Sequence, residues 1–304
     1  AGLDVDECFS CHLYTGTGSA QTITNGIDLS GEGGLVWQKW RNASSDHWWI
    51  DTERGVQKSI SSNNNEAEQD KGSNSLTAFN SNGFTVGSYF GTNNMASWTF
   101  RKAPKFFDIV TYTGTGGSRT LNHNLGSTPG MIIVKDYSNT GENWTVYHRG
   151  IDVNGDNAPE TDGIYLNTTG AAGDESGFWN DTAPTSTQFT VGGNLNSSFG
   201  GGANYVAYLF AHNNNDGEFG PDSDQDIIKC GSFTTDGSGL ATVDLGFEPQ
   251  FLIRRMLSGG NTWNRNWDIY DTMRGITMNN DYALEANTSD AEASMGNQQN
   301  LTPT

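Results

Sequence analysis

The sequence predicts an all-β protein made of tandem antiparallel β-sandwich repeats, of jelly-roll or lectin-like type, with the third repeat incomplete. Three observations lead to this fold class. Runs of roughly four to eight residues rich in aromatic and β-branched side chains alternate with turn-forming clusters. Glycine accounts for 39 and asparagine for 32 of the 304 residues, as a chain with many tight turns requires. The same series of motifs recurs three times along the chain.

Each repeat begins with an aromatic residue followed by Thr and Gly, continues through an apolar strand, and reaches a strand that closes on Arg-Gly. The opening motif reads YTGTG at 14–18, YTGTG at 112–116 and FTTDG at 233–237. The closing strand reads WWIDTERG at 48–55, WTVYHRG at 144–150 and WDIYDTMRG at 267–275. These spacings predict an N-terminal linker at 1–10 and repeats at 11–108, 109–228 and 229–304.

The third repeat stops before the hairpin that closes the other two. That hairpin starts as NGFTVG at 82–87 and as QFTVGG at 188–193, and an aromatic strand follows each time. A sheet without its last strands leaves unpaired N–H and C=O groups and an apolar face. We expect either that the polypeptide continues past Thr304 or that a neighbouring chain supplies the missing strands.

Two patterns predict the buried positions. The strand at 205–212 carries apolar side chains on both alternating faces, so we expect a central strand that is covered on both sides. Trp48, Trp144 and Trp267 lead the three Arg-Gly strands, and their recurrence indicates core packing. The arginines of these strands, Arg54, Arg149 and Arg274, are each expected to end a strand in a turn and to pair with a nearby carboxylate.

The charge balance and the length of the apolar runs argue against two classes of partner. The chain has 16 basic and 35 acidic residues and a net charge of −19, which repels phosphate backbones and argues against nucleic-acid binding. The longest apolar runs, such as 131–134, are far shorter than a membrane span, so no membrane insertion is expected.

The cysteines and histidines predict no catalytic centre. Cys8 and Cys11 form a C-x-x-C pair, but a tetrahedral zinc site needs two further ligands, and no second pair exists. We interpret Cys11 and Cys230, which occupy the same repeat position, as small apolar core residues, with a local Cys8–Cys11 disulfide as the alternative. The five histidines are scattered without metal-ligand spacing, so no catalytic residue is predicted.

Acidic residues alternate in one linker and predict a candidate calcium site. Asp222, Asp224 and Asp226 occupy every second position of DSDQD, and alternating oxygens can chelate Ca²⁺ in a loop. The bidentate Glu of an EF-hand loop is missing, so a solvated polar loop remains the alternative reading. Apart from this possible Ca²⁺, no cofactor is expected.

Three tryptophans outside the repeated positions are candidates for contact with a glycan. Trp40, Trp179 and Trp263 do not recur between repeats and lie near polar loops. An exposed aromatic face beside Asn and Asp is a common way to hold a sugar ring.

Taken as a set, several segments resemble a repeated domain of bacteriophage virion proteins described as tail-fibre-like, from marine and cyanobacterial phages. The resemblance covers about 5–304 and is carried by segments that include VDECFSCHLYTGTG, ASWTFRKAPKFFDIVTYTGTG, LGSTPGMIIVK, YVAYLFAH and LGFEPQFLI. It implies a protein on the surface of the phage particle, extracellular, that acts through particle architecture and adhesion to the host.

The resemblance also implies partners and an arrangement of repeats. We expect a stiff rod of tandem sandwiches that forms a homo-oligomer, with a trimer favoured by analogy, and that contacts other virion proteins and a host surface glycan. Two alternatives stay open: a bacterial surface or secreted carbohydrate-binding protein, and a polysaccharide depolymerase. The latter needs a pair of carboxylates facing a groove.

Overall fold

A computed structural model describes residues 2–198, 201–257, 265–276 and 281–296. In these ranges the chain is all-β, and each strand pairing is antiparallel. The α-helices of this part of the chain are single turns, α1 (Val5–Cys8) and α2 (Ser176–Trp179). Neither they nor any other described helix has the length and apolar character needed to cross a bilayer. The predicted fold class is confirmed.

The first repeat contains an inner and an outer sheet. Its strands are β1 (Phe9–Thr15), β2 (Gln21–Thr24), β3 (Gly34–Trp40), β4 (Trp48–Asp51), β5 (Lys58–Ser59), β6 (Gln69–Asp70), β7 (Leu76–Asn80), β8 (Gly83–Val86) and β9 (Asn94–Arg101). The inner sheet has the order β1-β9-β3-β4, and the outer sheet the order β2-β8-β7. β5 and β6 form a separate short ribbon.

The second repeat follows the same plan, and the third shows part of it. The strands of the second are β10 (Phe107–Thr113), β11 (Arg119–Asn122), β12 (Met131–Asp136), β13 (Thr145–His148), β14 (Asp162–Tyr165), β15 (Gly173–Asp174), β16 (Gln188–Val191) and β17 (Asn204–Phe210). Its inner sheet runs β10-β17-β12-β13-β14-β15, and its outer sheet is β11-β16. The third repeat contributes β18 (Phe251–Arg254), β19 (Asp268–Asp271), β20 (Asp281–Glu285) and β21 (Ala293–Gly296), paired in that order.

The inner strands bury both of their faces, because alternate residues along a strand point to opposite sides. In β17, Tyr208 and Phe210 enter a central core, whereas Ala207 and Leu209 face the core of the second sandwich. This confirms the expectation that the strand at 205–212 is covered on both sides.

The central core is shared by all three repeats. Its buried members include Trp37 and Trp98 from the first repeat, Trp144 and Tyr208 from the second, and Trp267 and Ile269 from the third. The expectation of a stiff rod of separate sandwiches is therefore wrong. Each inner sheet has a second apolar face, and the three sheets cover these faces by packing on one another around one core.

Strand register aligns the three repeats residue by residue. In the three equivalent hairpins, Leu35, Met131 and Phe251 lie opposite Asp51, His148 and Asp271. Counting back along the second strand of each hairpin places His47, not Trp48, at the position of Trp144 and Trp267. Trp48, Trp144 and Trp267 are all buried, as predicted, but Trp48 belongs to the sandwich core and not to the central core. A shift of one residue in a strand exchanges the two faces.

These three equivalent residues close a ring of hydrogen bonds between repeats. Trp37 Nε1 donates to His47 Nδ1 (2.8 Å), so the His47 proton sits on Nε2 and donates onward. Each ring nitrogen donates to a backbone carbonyl of a different repeat at 3.0 Å: His47 to Glu285, Trp144 to Ser61 and Trp267 to Tyr165. The accepting residues also occupy equivalent positions in the three repeats. In each repeat, the acceptor directly follows a residue that pairs with the strand carrying that repeat's own donor. The first repeat thus bonds to the third, the third to the second and the second to the first.

A half-buried asparagine orients each donor of this ring. Asn63, Asn167 and Asn287 accept the backbone N–H of His47, Trp144 and Trp267 respectively, at 2.8, 3.0 and 2.7 Å. The amide nitrogen of each asparagine donates to the side chain just before the donor residue, on Asp46, Asn143 and Asn266. The same two hydrogen bonds recur in all three repeats and hold each donor residue in the same orientation.

Candidate functional site

The Arg-Gly corners of the first and third repeats are buried ion pairs. Arg54 Nε donates to Asp51 Oδ2 at 2.7 Å, and Arg274 Nε to Asp271 Oδ2 at 2.6 Å. The four side chains of these pairs are almost fully buried. The predicted pairing of arginine with a nearby carboxylate is confirmed at both corners.

Each buried pair is completed by a neighbouring repeat. The Tyr208 hydroxyl of the second repeat donates to Asp51 Oδ2 at 2.7 Å, and Trp98 Nε1 of the first repeat donates to Asp271 Oδ2 at 3.0 Å. Burial by itself lowers the pKa of Arg54, but the charge of Asp51 and the neighbouring Tyr208 raise it above its ordinary value. The arginine remains charged, and the corner holds the repeats together.

The second repeat departs from this pattern. Its corner reads Tyr-His-Arg-Gly where the others read Asp-Thr-x-Arg-Gly, so the turn is two residues shorter and His148 takes the place of the aspartate. Arg149 is exposed, and its guanidinium makes no hydrogen bond or ion pair with any described residue. The prediction that Arg149 pairs with a nearby carboxylate is wrong, because the shorter turn and the missing Asp remove its partner.

Arg149 lines an open polar cleft of about 680 Å³. The walls come from the 126–130 turn before β12, the corner after β13 and the segment after β17. Side chains on its surface include Lys105, Ser127, Tyr147, Arg149, His212 and Asp216. Gly130 permits this close approach of chain segments, since a Cβ there would lie 2.7 Å from Cys230 Cβ and 2.9 Å from His212 Cβ.

Arg149 carries the unpaired positive charge of the cleft. Lys105 Nζ is paired with Glu218 Oε1 at 2.7 Å. Burial, followed by the charge of Arg149, lowers the pKa of His212, and burial raises the pKa of Tyr147 to about 12. Both rings are therefore neutral at pH 7. The cleft offers one free guanidinium, on a chain whose net charge is −19, which suits a bidentate contact with a carboxylate.

The three aspartates of the candidate calcium site are not brought together as a metal site. Asp222 and Asp224 are exposed. Asp226 accepts the backbone N–H of Asn215 at 2.8 Å and that of Gly217 at 2.9 Å, which anchors the linker. In the described part of the chain, no group of three or more His, Cys, Asp or Glu side chains is arranged to hold a metal ion.

The three glycan-contact tryptophans have different surroundings. Trp179 is only 2% exposed and packs against Tyr147 in the second sandwich core, so its assignment as a surface platform is corrected. Its position next to a loop does not expose it, because α2 turns the ring inward. Trp40 is half-buried and packs on Trp48. Trp263 lies outside the described residues.

All three cysteines are free thiols. Cys230 is buried, as predicted for a small apolar residue, and Cys8, for which no burial was predicted, is buried as well. Cys11 is half-buried. The alternative, a local disulfide between Cys8 and Cys11, is wrong because both thiols are free. Burial raises the pKa of Cys8 and of Cys230 to about 12.

Comparison with known families identifies the family of the chain. A family model described as a domain of unknown function, DUF7483, matches residues 4–302. The chain belongs to the DUF7483 family. The match runs through all three repeats, the same span that builds the shared core of this DUF7483 chain. No curated protein and no solved structure matches it.

Sequence reasoning missed the cleft of the DUF7483 chain although the sequence contained a signal for it. Among the three Arg-Gly strands, the second is shorter and has no Asp before the arginine. Once the strands are aligned by their Arg-Gly ends, that difference marks Arg149 as an arginine without the partner that Arg54 and Arg274 have. The cleft walls themselves depend on contacts between distant segments and carry no local signal.

Proposed function

We propose that this protein is a structural and adhesive component of a bacteriophage particle surface, a tail fibre or related appendage, that binds a host glycan in the Arg149 cleft. The observation that carries the adhesive part is the free, exposed guanidinium of Arg149 at a corner where the other two repeats bury theirs. The virion part rests on the family resemblance of the sequence.

The chemistry of the cleft favours an acidic glycan. A guanidinium binds a carboxylate through two parallel hydrogen bonds. Pro129 and Pro159 add apolar surface beside it, and Ser127, Asn157 and Asn214 add polar groups suited to sugar hydroxyls. We therefore assign a polysaccharide that carries carboxylate groups, such as uronic acids, as the ligand class.

The cleft suits binding better than hydrolysis. Among the described residues on its surface, Asp216 supplies the carboxylate, and its Oδ1 already accepts the N–H of Asn214 at 2.7 Å. Glycoside hydrolysis generally uses two carboxylates on opposite sides of the scissile bond. Adhesion without turnover is therefore the proposed activity, and homo-oligomerisation, with a trimer expected by analogy, would multiply weak contacts.

Binding of acidic and neutral polysaccharides to the purified chain tests the adhesive part. The wild-type chain is expected to prefer acidic polysaccharides, and Arg149→Met to weaken that binding roughly 10-fold to 100-fold, as expected for loss of a charge-assisted pair. Arg119→Met is the matched control, because Arg119 lies on β11, outside the cleft lining, where it donates to the Thr113 carbonyl. Equal binding by Arg149→Met and wild type, or a preference for neutral polysaccharides, would show that the cleft is not the adhesive site.

The virion part is tested separately by mass spectrometry of purified phage particles and of host envelope fractions. The chain is expected in the particles. Its presence only in the bacterial envelope would support the carbohydrate-binding alternative and leave the cleft assignment unaffected.

A further inference from the structure

The first and second repeats differ in one pair of opposing residues on the short ribbon that follows the Arg-Gly strand. In the first repeat, Lys58 of β5 lies opposite Asp70 of β6. In the second repeat, Asp162 of β14 lies opposite Asp174 of β15. The two pairs are equivalent, since each begins two residues before an isoleucine that pairs with the same position of the Arg-Gly strand. The second repeat therefore has an aspartate where the first has a lysine.

The two aspartates of the second repeat lie close together. Glu175 N–H donates to the Thr161 carbonyl at 2.8 Å, so these two residues form a hydrogen-bonded pair. The next pair along the ribbon, Asp162 with Asp174, is then of the narrow kind, with Cα atoms about 4.5 Å apart and both side chains on one face. In the first repeat the equivalent side chains form an ion pair, with Nζ 2.8 Å from Oδ2. In the second repeat the two opposing charges are both negative and repel each other.

Asp162 is buried with one carboxylate oxygen unsatisfied. The residue is fully buried, and its Oδ2 accepts the N–H of Val153 at 2.8 Å. Its Oδ1 has no hydrogen-bond partner among the described residues. Because the 152–156 loop holds Oδ2 and the side chain shares a face with Asp174, the carboxylate lies between that loop and Asp174. A buried carboxylate oxygen without a partner is costly unless a proton or a cation lies beside it.

Further carboxylates surround this pair, and its described surroundings supply no counter-ion. Burial is the largest cause that raises the pKa of Asp162, and the charges of Asp156, Asp174 and Asp152 raise it further. Asn154 belongs to the same group, since its Nδ2 lies 3.5 Å from Asp174 Oδ2. In the described ranges, no lysine or arginine forms an ion pair with any of these four carboxylates.

We propose that Asp162 and Asp174 bind Ca²⁺, with oxygens of the 152–156 loop and water completing its coordination. The ion takes the place that the Lys58 ammonium group takes in the first repeat. Ca²⁺ accepts about six to eight oxygen ligands, from carboxylates, amide and backbone carbonyls and water, in a flexible geometry. The pair supplies two carboxylates, fewer than the three-side-chain group that the described residues lack, so the loop has to contribute.

Two observations define the ion and the number of sites. Asp162 Oδ1 is enclosed by protein. Mg²⁺ gives up its water shell reluctantly, so an enclosed ligand oxygen favours Ca²⁺. In the third repeat the equivalent pair is Tyr282 opposite Ser294, which has no carboxylate. We therefore expect one site of this kind per chain.

Calorimetric titration of the EDTA-treated and dialysed 304-residue chain with CaCl₂ tests the site. We expect one saturable site with a Kd of about 0.1–1 mM, and a Tm that rises by a few degrees in excess Ca²⁺. Asp162→Asn keeps an acceptor for the Val153 N–H, and Asp174→Asn changes an exposed residue. Each should weaken Ca²⁺ binding at least about tenfold, as expected for the loss of one charged ligand.

The Tm in EDTA separates this role from a structural one. Neither Asp162→Asn nor Asp174→Asn should melt below the wild type without Ca²⁺, because each removes one of two opposing like charges. The matched control is Asp222→Asn, an exposed aspartate in the other alternating acidic segment, which should bind Ca²⁺ as the wild type does.

Four results would overturn the proposal. The first is a wild-type chain that does not bind Ca²⁺, and the second is unchanged affinity in Asp162→Asn or Asp174→Asn. The third is loss of binding in Asp222→Asn, which would assign the ion to the linker. The fourth is an equal response to Mg²⁺ at matched ionic strength, which would reflect general screening of a chain whose net charge is −19.

Discussion

Trp144→Phe tests the hydrogen-bonded ring that joins the repeats. Trp144 is fully buried, and its Nε1 donates to the carbonyls of Ser61 at 3.0 Å and Asn64 at 3.1 Å in the first repeat. Phenylalanine keeps part of the aromatic contact but removes the Nε1 donor from both carbonyls, and the Ser61 carbonyl then keeps only the Asn64 N–H at 3.3 Å. The lost hydrogen bonding costs about 1–3 kcal/mol, and the lost indole atoms add about 1–2 kcal/mol.

Trp49→Phe is the matched control in the same central core. Trp49 is also fully buried, but its Nε1 is buried without a hydrogen-bond partner. The substitution removes the same atoms and also removes an unsatisfied donor, so it should cost no more than about 2 kcal/mol. Both tryptophans also pack across the boundary between the first and second repeats, so the difference between the two variants isolates the hydrogen bonds that Trp144 donates.

Equilibrium urea unfolding, followed by tryptophan fluorescence and by circular dichroism, measures both variants. We expect Trp144→Phe to lose about 1–3 kcal/mol more of the free energy of unfolding than Trp49→Phe. We also expect the two probes to report one transition, since the first and second repeats share a core. Equal losses in the two variants would refute the argument that the ring bonds stabilise the assembly of repeats.

Further predictions concern the buried charges and thiols. Arg54→Met should lower the free energy of unfolding by about 3–5 kcal/mol, because it leaves the buried Asp51 unpaired. Arg149→Met should change it by less than about 0.5 kcal/mol. Similar losses in the two variants would contradict the distinction between the corners. Burial lowers the pKa of Lys39 from 10.5 to about 8, so the unfolded chain binds more protons between these values and this group adds stability as pH rises. From pH 8 to 9.5 the free energy of unfolding of the wild type should therefore rise by about 1–2 kcal/mol relative to that of Lys39→Met. Thiols and tyrosines titrate in both proteins, so the comparison cancels their contribution. Parallel pH profiles of the two proteins would disprove the prediction. The thiols of Cys8 and Cys230 should resist a disulfide reagent at pH 8 and react once the chain is unfolded, because both are buried and burial raises their pKa to about 12. Rapid labelling of either residue in the native chain would count against their burial.

Local patterns predicted the strands and their repetition. The turn clusters and the two apolar faces of the strand at 205–212 depend on neighbouring residues, so they can be identified in one sequence. The role of the second apolar face of that strand could not be predicted, because the residues that cover it lie in other repeats. The sequence therefore predicted three sandwiches but not the core that they share. The expectation of a stiff rod arose because that shared core was not predicted.

Sequence motifs alone also misplace one residue when they are used to match the repeats. Matching Trp48 to Trp144 and Trp267 is natural in the sequence, but strand pairing places His47 there. Histidine can replace tryptophan at this position because its ring nitrogen also donates to a carbonyl of the next repeat. Strand register and the hydrogen-bond partners together reveal that equivalence.

Small-angle X-ray scattering on the chromatographic peak of one-chain mass tests the central claim, that the three repeats close around one core. A compact chain of 304 residues has a radius of gyration of about 19 Å, whereas three 100-residue sandwiches in a line give about 30 Å. The shared core predicts the lower value. A radius near 30 Å would contradict the closed arrangement and return the chain to a linear rod.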